Sequence, residues 1–311
     1  MICFGPVSSR RLGKSLGINN ITSPKVCSYN CVYCQVGKTV NSTIVRRQFF
    51  KPSEILNEIK KHLSKLDDSN YPDYLTFVSN GEPTLDINLG KSIETLKVFG
   101  IPVAVITNAS LLIYEQVRKE LRHADWVSIK IDAADNSTWR LINRPLDNLK
   151  FREHIEAINL FTSEYTGVLC TETMLIDKLN DSSYCLKKIA AVVKRVQPFK
   201  AYISISIRPP AVSYVKSPSL ESLNKAYQIF NEFGIDTELL TGFEGTDTGY
   251  TGNIINDILN ITAVHPLRED SLIELLNKDK ADYSVVESLI KQKLIKVVLY
   301  QNKKYYLRNN S

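Results

Sequence analysis

The chain has 311 residues, with 39 Lys and Arg against 33 Asp and Glu and a formal net charge of +6. Its hydrophobic content of 43% is that of a globular protein, in one large domain with an appendage or in two domains. The six cysteines are too scattered for a disulfide framework, the first residues are not a signal peptide, and no apolar run could span a membrane. We therefore expect a cytoplasmic protein without a membrane partner.

The first 53 residues contain no Asp or Glu and eight basic residues. A segment of one sign raises a positive field, which favours an anionic substrate such as RNA or the docking of an acidic electron donor. The alternative is a solvated basic surface that offsets the negative charge of nearby thiolates. The eight residues are Arg10, Arg11, Lys14, Lys25, Lys38, Arg46, Arg47 and Lys51.

Three cysteines at spacing C-x3-C-x2-C follow a first predicted strand within residues 12–22. Their thiolates can point into one tight loop and hold several soft metal atoms. A cubane iron–sulfur cluster usually takes four cysteines, so three ligands leave one iron open to a reactant. A structural zinc site needs four ligands, and the nearest further candidates are Cys3 and His62. The loop alone leaves a cluster, a zinc ion or neither open for Cys27, Cys31 and Cys34.

Downstream of the loop, strand and helix patterns alternate about six times. Helical spacing covers residues 54–66, 88–99, 111–122, 147–163, 184–196 and 220–233, and short β-rich runs cover 74–78, 103–106, 126–131, 167–175, 202–207 and 235–240. Connections of this length favour parallel strands joined by right-handed crossovers. Periodicity does not decide between an open doubly wound sheet and a full or partial βα barrel.

Polar residues follow the predicted strands. In parallel βα architectures ligands collect beyond the carboxyl ends of the strands, so we expect one rim with a single active site. The residues at these ends are the cysteine loop, Asn80-Gly81-Glu82-Pro83, Thr107-Asn108, Ser128, Lys130, Asp132, Glu172, Thr173 and Arg208.

A glycine-rich linker or loop is predicted over residues 241–264, after the strand and helix alternation of residues 1–240. Residues 265–311 contain a helix over 267–277, a second helix capped by Asp282, and a hairpin. This order resembles a small winged-helix module, and its nine basic residues against six acids give it a net charge of +3. Such modules bind nucleic acid or dock proteins, and both uses stay open.

Several separated stretches carry a family resemblance. Tyr33 stands before the third cysteine of the loop, and the other stretches are residues 5–17, 79–85, 128–133, 142–145 and 207–210. Together they resemble the radical S-adenosylmethionine (SAM) superfamily, in a subgroup related to the tRNA wyosine-base synthases. The resemblance implies an α/β fold with a partial (β/α)6 TIM-like barrel, a [4Fe-4S] cluster and S-adenosyl-L-methionine as cofactors.

The same resemblance implies residue roles. The loop cysteines would bind three irons, and the amine and carboxylate of SAM would bind the fourth. Reductive cleavage of SAM would then give a 5′-deoxyadenosyl radical that abstracts hydrogen from the substrate. The implied cofactor contacts are Tyr33, Asn80, Gly81, Glu82, Thr107, Asn108, Ser128 and Asp132, with Lys130 and Arg208 facing the substrate. Strand-end caps and ion pairs are the alternative roles of these polar residues.

The chain departs from the archaeal wyosine-base synthases, which carry additional cysteines upstream for a second cluster. Only Cys3 precedes the loop here, and Cys170 and Cys185 lie far apart in sequence. We expect a radical SAM enzyme acting on tRNA or another nucleic acid, reduced by an acidic ferredoxin or flavodoxin. The alternatives are a radical SAM enzyme for a small molecule or partner protein, and a non-catalytic zinc-binding regulator.

Overall fold

The computed structural model describes residues 2–22, 24–242, 245–246 and 249–309. The strands are β1 Cys3–Ser9, β2 Gly13–Ile18, β3 Val26–Cys27, β4 Asn41–Ser42, β5 Tyr74–Phe77, β6 Val103–Thr107, β7 Trp126–Lys130, β8 Val168–Leu175, β9 Lys200–Ile205, β10 Thr237–Leu240, β11 Leu267–Arg268, β12 Ile295–Tyr300 and β13 Lys303–Arg308. The α-helices are α1 Pro52–Leu63, α2 Leu89–Leu96, α3 Glu115–Leu121, α4 Asn136–Ile142, α5 Phe151–Glu164, α6 Ser183–Val196, α7 Leu220–Glu232, α8 Ile254–Val264, α9 Glu269–Lys278 and α10 Ser284–Lys291.

Eight strands form the main sheet, in the order β1-β2-β5-β6-β7-β8-β9-β10. The pair β1–β2 is antiparallel, and the neighbouring pairs from β2 to β10 are parallel. The sheet curls around an internal cavity lined from both of its halves, while β1 and β10 are the two ends of the strand order. This open, curled sheet confirms the predicted α/β partial barrel and excludes the flat doubly wound alternative.

Successive side chains of a strand point alternately to the hydrophobic core and to the cavity. Leu75 and Phe77 of β5 pack in the main hydrophobic core with helix residues such as Ile59, whereas Thr76 between them lines the cavity. The side-chain period of a strand is two, so one face of the sheet meets the helices and the other the barrel interior. Polar residues at alternate strand positions are therefore internal to the barrel.

Two short elements differ from the sequence prediction. The expected first strand is the second arm of an antiparallel pair, because β1 precedes it and pairs Ser9 with Gly13 at the turn. Helix α4 has seven residues, too few for a clear helical period in sequence, and was not predicted.

The segment expected as a linker, residues 241–264, ends in helix α8. Its residues Ile258, Ile261 and Val264 are buried in one hydrophobic cluster with Phe4 of β1. Positions 243, 244, 247 and 248 of the glycine-rich stretch lie outside the described residues. The apolar face of α8 thus attaches the C-terminal part to the edge of the barrel.

The C-terminal part contains α8, α9, α10 and a three-stranded antiparallel sheet in the order β11-β13-β12. The expected helix over 267–277 begins later, because residues 267 and 268 form β11. Tyr300 donates a hydrogen bond to the carbonyl of Ser206 at 2.9 Å, and Tyr305 donates one to that of Ile207 at 2.8 Å. The hairpin therefore rests on the segment that leaves β9. Each described helix is too short or too polar to cross a membrane.

Candidate active site

The cysteine loop is held against the motif that follows β5. The amide of Val26 donates to the carbonyl of Asn80 at 3.2 Å, and the amide of Glu82 donates to the carbonyl of Val26 at 3.1 Å. Gly81 lies between these bonds at φ +143°, and a Cβ there would stand 1.7 Å from the Val26 carbonyl oxygen. Only glycine permits this close approach of the two backbones.

Each cysteine of the loop receives a hydrogen bond from a nitrogen at its sulfur. The donors are the Asn108 amide to Cys27 at 3.6 Å, the Asn143 amide to Cys31 at 3.6 Å and the Lys25 ammonium to Cys34 at 3.1 Å. N–H donors at sulfur stabilise the thiolate, which is the form that binds metal. Each sulfur thus has one donor that favours its thiolate form.

The pKa values of the thiols follow these surroundings. Burial raises the pKa of Cys27 and Cys31 to about 12 in the metal-free chain. Burial also acts on Cys34, but the neighbouring Lys25 ammonium outweighs it and lowers the pKa of that thiol. Of the three sulfurs, Cys34 has the strongest positive charge beside it.

These thiols suit a polynuclear cluster better than a single ion. In the described part of the chain, no three His, Cys, Asp or Glu side chains converge closely enough to hold one metal ion. All six cysteines are free thiols, so the loop sulfurs are not consumed in disulfides. An iron–sulfur cluster takes each cysteine at a different iron and needs no common centre. The donor set fits such a cluster.

Asp132, just after β7, binds the cysteine loop to the barrel. Its Oδ2 accepts from the hydroxyl of Tyr33 at 2.5 Å and from the amide of Asn143 at 2.7 Å. Its Oδ1 accepts from the backbone amide of Met174 at 2.8 Å. The carboxylate is buried, and these contacts fix Tyr33 beside Cys34.

Glu82, after β5, accepts hydrogen bonds from residues at the end of β6. Its Oε1 accepts from the hydroxyls of Thr107 and Thr84, each at 2.6 Å, and its Oε2 accepts from the backbone amide of Asn108 at 2.8 Å. Burial raises the pKa of this carboxyl, although the hydrogen bonds oppose that shift. The predicted residues Glu82, Thr107 and Asn108 are therefore brought together. The side-chain amide of Asn108 also donates a hydrogen bond to the sulfur of Cys27.

A cavity of about 260 Å³ lies inside the barrel, with Tyr33 and Cys34 among its lining residues. The charged side chains in its described lining are one carboxylate, Glu172, and four cations, Arg10, Arg11, Lys130 and Arg208. Low-dielectric walls concentrate the field of such an excess of one sign. Cations therefore outnumber carboxylates in the described lining of the cavity.

Glu172 is the centre of a buried charge cluster. Its Oε1 accepts from the Lys130 ammonium at 2.8 Å and from the Ser204 hydroxyl at 2.8 Å, and Arg11 forms an ion pair with its Oε2. Burial acts against ionisation, but the two cations hold the pKa of Glu172 far below its usual range. The Lys130 ammonium also stands 5.3 Å from the centroid of the Tyr33 ring. The charge cluster around Glu172 thus contacts the cysteine loop through Lys130 and Tyr33.

Arg208 connects the cysteine loop with the C-terminal part. One terminal nitrogen donates to Oε1 of Gln35 at 3.2 Å, and the other lies 2.7 Å from Nε2 of His265. The amide of Gln35 in turn donates to the carbonyl of Val264 at 3.2 Å. Val264 and His265 also line the cavity, so the C-terminal part contributes to the site.

The expected single rim is only partly formed. Asn80, Thr107 and Asp132 lie around the cysteine loop as expected. Ser128, however, occupies the middle of β7, where it pairs with Cys170, and its buried hydroxyl has no hydrogen-bond partner. Glu172 likewise lies within β8 and points into the barrel, because β8 extends three residues beyond it. These two residues are inside the barrel rather than at the ends of their strands.

Sequence reasoning did not select several residues that the fold brings to the site. They are Arg10, Arg11, Lys25, Gln35, Asn143 and His265. Arg10, Arg11 and Asn143 stood inside the stretches that carried the family resemblance, which was the available signal. Lys25 was visible only as one of eight basic residues, and His265 gave no signal at all.

The basic stretch around Arg46 and Arg47, which favoured a nucleic-acid substrate in the sequence, makes contacts within the protein. Arg46 forms a buried ion pair with Glu120, and its Nε donates to the carbonyl of Thr84 at 2.8 Å. Phe49 and Phe50 pack against the main core, and Arg47 lies 4.7 Å above the Phe49 ring. This stretch of the basic first segment is therefore largely structural.

Comparison with known proteins agrees with this geometry. The family model described as Radical SAM superfamily matches residues 21–185. The chain is 45% identical over 311 residues to a UPF0026 protein of Methanocaldococcus jannaschii, covering 99% of this chain and 96% of the relative.

Solved structures share the fold at low sequence identity. A radical SAM methyltransferase from Sphaerobacter thermophilus superposes with a TM-score of 0.56 at 15% identity, covering 73% of this chain and 66% of that one. Streptococcus suis SuiB bound to S-adenosylmethionine superposes with a TM-score of 0.51 at 13% identity, covering 72% and 51%.

Proposed function

Because the chain belongs to the radical SAM superfamily, it is an enzyme that uses a [4Fe-4S] cluster and S-adenosylmethionine, and we propose that it acts on an anionic substrate held inside the barrel. The observation that carries the substrate class is the cavity lining, with four cations and one carboxylate among its described residues.

The cluster ligands in this proposal are Cys27, Cys31 and Cys34, whose sulfurs are free and each receive an N–H donor. When bound, the cluster and SAM supply a one-electron cleavage of the sulfonium bond that releases methionine and a 5′-deoxyadenosyl radical. Three cysteines would leave one iron open, where the amine and carboxylate of SAM would bind. The barrel walls would limit the access of water to this chemistry.

We propose that the cofactor lies against the polar residues around the cysteine loop. In this proposal Tyr33, Asn80 and Gly81 contact the cofactor directly. Ser128 adds an unpartnered hydroxyl inside the barrel. Glu82, Thr107, Asn108 and Asp132 bond mainly to protein groups, so we assign them to positioning the loop as well as to the cofactor site.

Lys130 and Arg208 are the proposed anchors of the substrate anion. Both line the cavity that Cys34 also lines, so a bound anion would hold the substrate close to the cluster. Glu172 neutralises only part of the charge, since it is shared between Lys130 and Arg11. Ammonium and guanidinium groups together suit a phosphate or carboxylate.

A nucleotide of RNA, in tRNA first, is the substrate that we propose within this class. The C-terminal part, which we propose to be a winged-helix module, places its hairpin beside the cavity-lining residues Ser206 and Ile207. The hairpin exposes Lys296 and Lys303 to solvent. A relation to the wyosine-base synthases would fit this substrate, with a different reaction, since the upstream cysteines of a second cluster are missing.

The test is anaerobic reconstitution with iron and sulfide, followed by SAM and dithionite with and without bulk tRNA. Release of 5′-deoxyadenosine is expected, and stimulation by tRNA would support the RNA substrate. Filter binding across a salt series should show an affinity that falls as salt rises, and less binding for Lys303→Met than for Lys60→Met, an exposed lysine on α1. Salt-independent or absent binding would remove RNA from the proposal.

A small anionic molecule is the second candidate, favoured by the cavity itself. Its volume of about 260 Å³ is near the lower end for small-molecule sites, and Val264 and His265 help to enclose it. The C-terminal part would then close the site or dock a partner protein. This candidate would be favoured if mononucleotides or small carboxylic acids stimulate the release of 5′-deoxyadenosine and tRNA does not.

The enzyme needs a reductant, and we propose an acidic ferredoxin or flavodoxin. The exposed Lys38, four residues after Cys34, gives such a donor a positive contact close to the cluster. A reducing, cytoplasmic location is part of the same proposal, since none of the six cysteines is in a disulfide. Cross-linking of the reconstituted protein to flavodoxin should weaken in Lys38→Glu.

A further inference from the structure

Lys25 is a buried lysine in contact with the cysteine loop. Only 3% of its surface is exposed, and it stands two residues before the first cysteine of the loop. Its ammonium lies 3.1 Å from the sulfur of Cys34 and donates to the carbonyl of Gly37 at 2.7 Å. No part of the proposed reaction yet uses this charge.

A buried ammonium requires an anion close by, because removal of a charge from water costs several kcal/mol unless a partner compensates it. The carbonyl of Gly37 is neutral, so the sulfur of Cys34 is the negative group in contact with the ammonium. Lys25 is therefore matched to a thiolate, not to a carboxylate.

The three sulfurs are consequently unequal. Cys27 and Cys31 receive neutral amide donors at 3.6 Å, whereas Cys34 faces a full positive charge at 3.1 Å. Of the three, Cys34 is also the one that lines the cavity. The positive charge is thus concentrated at the cysteine that lines the cavity.

We propose that Lys25 is a positioning residue that sets the reduction potential of the cluster, an inference that rests on the cluster ligands proposed above. Reduction transfers one electron from the donor protein to the cluster and adds one negative charge beside the ammonium, with no bond made or broken. A fixed positive charge in a poorly solvated place stabilises the reduced form. The ammonium therefore raises the midpoint potential and makes the first electron transfer easier.

The measurement is an EPR-monitored redox titration of the reconstituted protein without SAM, which gives a midpoint potential independent of turnover. Lys25→Met removes the charge and keeps the length of the side chain. Lys25→Arg keeps the charge and changes the shape. Lys38→Met, an exposed lysine of the same loop, is the matched control for loss of one positive charge.

We expect a lower midpoint potential for Lys25→Met, with Lys25→Arg and Lys38→Met close to wild type. Iron content, measured beside the potential, separates a tuning effect from loss of the cluster. Lys25→Gln is a second uncharged variant. If both uncharged variants fail to hold iron and Lys25→Arg holds it, the inference that the positive charge of Lys25 stabilises the cluster is supported. An iron-loaded Lys25→Met with the wild-type potential, or loss of iron in Lys25→Arg as well, overturns the inference. Failure of the wild-type chain to bind iron would overturn the proposed function instead.

Discussion

Substitution of Gly81 by alanine should separate the cysteine loop from the barrel. The new Cβ would lie 1.7 Å from the carbonyl oxygen of Val26, which is 1.3 Å inside the 3.0 Å limit of real Cβ contacts. The neighbouring atom is backbone, so relief requires the loop itself to move. That movement breaks the bonds from Glu82 to Val26 at 3.1 Å and from Val26 to Asn80 at 3.2 Å.

The magnitude follows from these losses. Two backbone hydrogen bonds contribute about 2 kcal/mol together, and a positive φ costs a residue with a Cβ about 1–2 kcal/mol more. Gly37→Ala is the matched control, because Gly37 also has a positive φ, of +92°, but nothing within 4 Å of its Cβ position. We expect a loss of about 3–4 kcal/mol for Gly81→Ala and about 1–2 kcal/mol for the control.

Urea unfolding of the metal-free chain under reducing conditions measures both losses, and iron content after reconstitution measures the consequence for the cluster. Gly81→Ala should bind little iron, whereas Gly37→Ala should reconstitute. Equal unfolding free energies and equal iron content in the two variants would refute the argument that the backbone contact at Gly81 holds the loop.

Three further predictions concern the sulfurs and two buried groups. Alanine at any one of the three loop cysteines should abolish most iron binding, whereas Cys170→Ala, at a buried free thiol elsewhere, should retain it, as iron and sulfide analysis would show. Glu172→Gln leaves two partly buried cations without their shared carboxylate and should lower the unfolding free energy by about 2–3 kcal/mol; Glu164→Gln, in an exposed ion pair with Arg122, should cost at most about 1 kcal/mol in the same urea titration. Burial lowers the pKa of His154 from 6.5 to about 4, so stability present above pH 6.5 is lost as pH falls toward 4. Between pH 7 and pH 5 the wild-type unfolding free energy should fall by about 2 kcal/mol more than that of His154→Phe, and equal pH profiles would contradict this assignment.

The ion pairs of the basic first segment weaken the case for a nucleic-acid substrate. The sequence favoured nucleic acid because of a basic first segment, yet two of its arginines are engaged in buried ion pairs with Glu172 and Glu120. The described lining of the barrel cavity still holds more cations than carboxylates, and the anionic substrate that we propose for it need not be a nucleic acid. For this reason the comparison of tRNA with small anions is the most informative first experiment on turnover.

The sequence by itself determined the position of the cysteine loop and the alternation of strands and helices. Three cysteines within eight residues interact through a short loop, and alternating periods of two and 3.6 residues report strands and helices, so both signals are local. The same is true of Asn80, Gly81 and Thr107, which lie at or shortly after the ends of strands and were expected near the loop. Local patterns of this kind survive in a single sequence because neighbouring residues carry them.

Only the tertiary structure decided which charges meet. Arg11 and Glu172 are 161 residues apart in sequence, and the curl of the sheet brings them together across the barrel. Arg208 and His265 meet because α8 docks on β1, in a segment where the composition indicated a linker. Lys25 contacts Cys34 because the loop folds back on itself, which brings the ammonium to the sulfur. Long-range contacts depend on how elements pack, and packing leaves no fixed spacing in the chain.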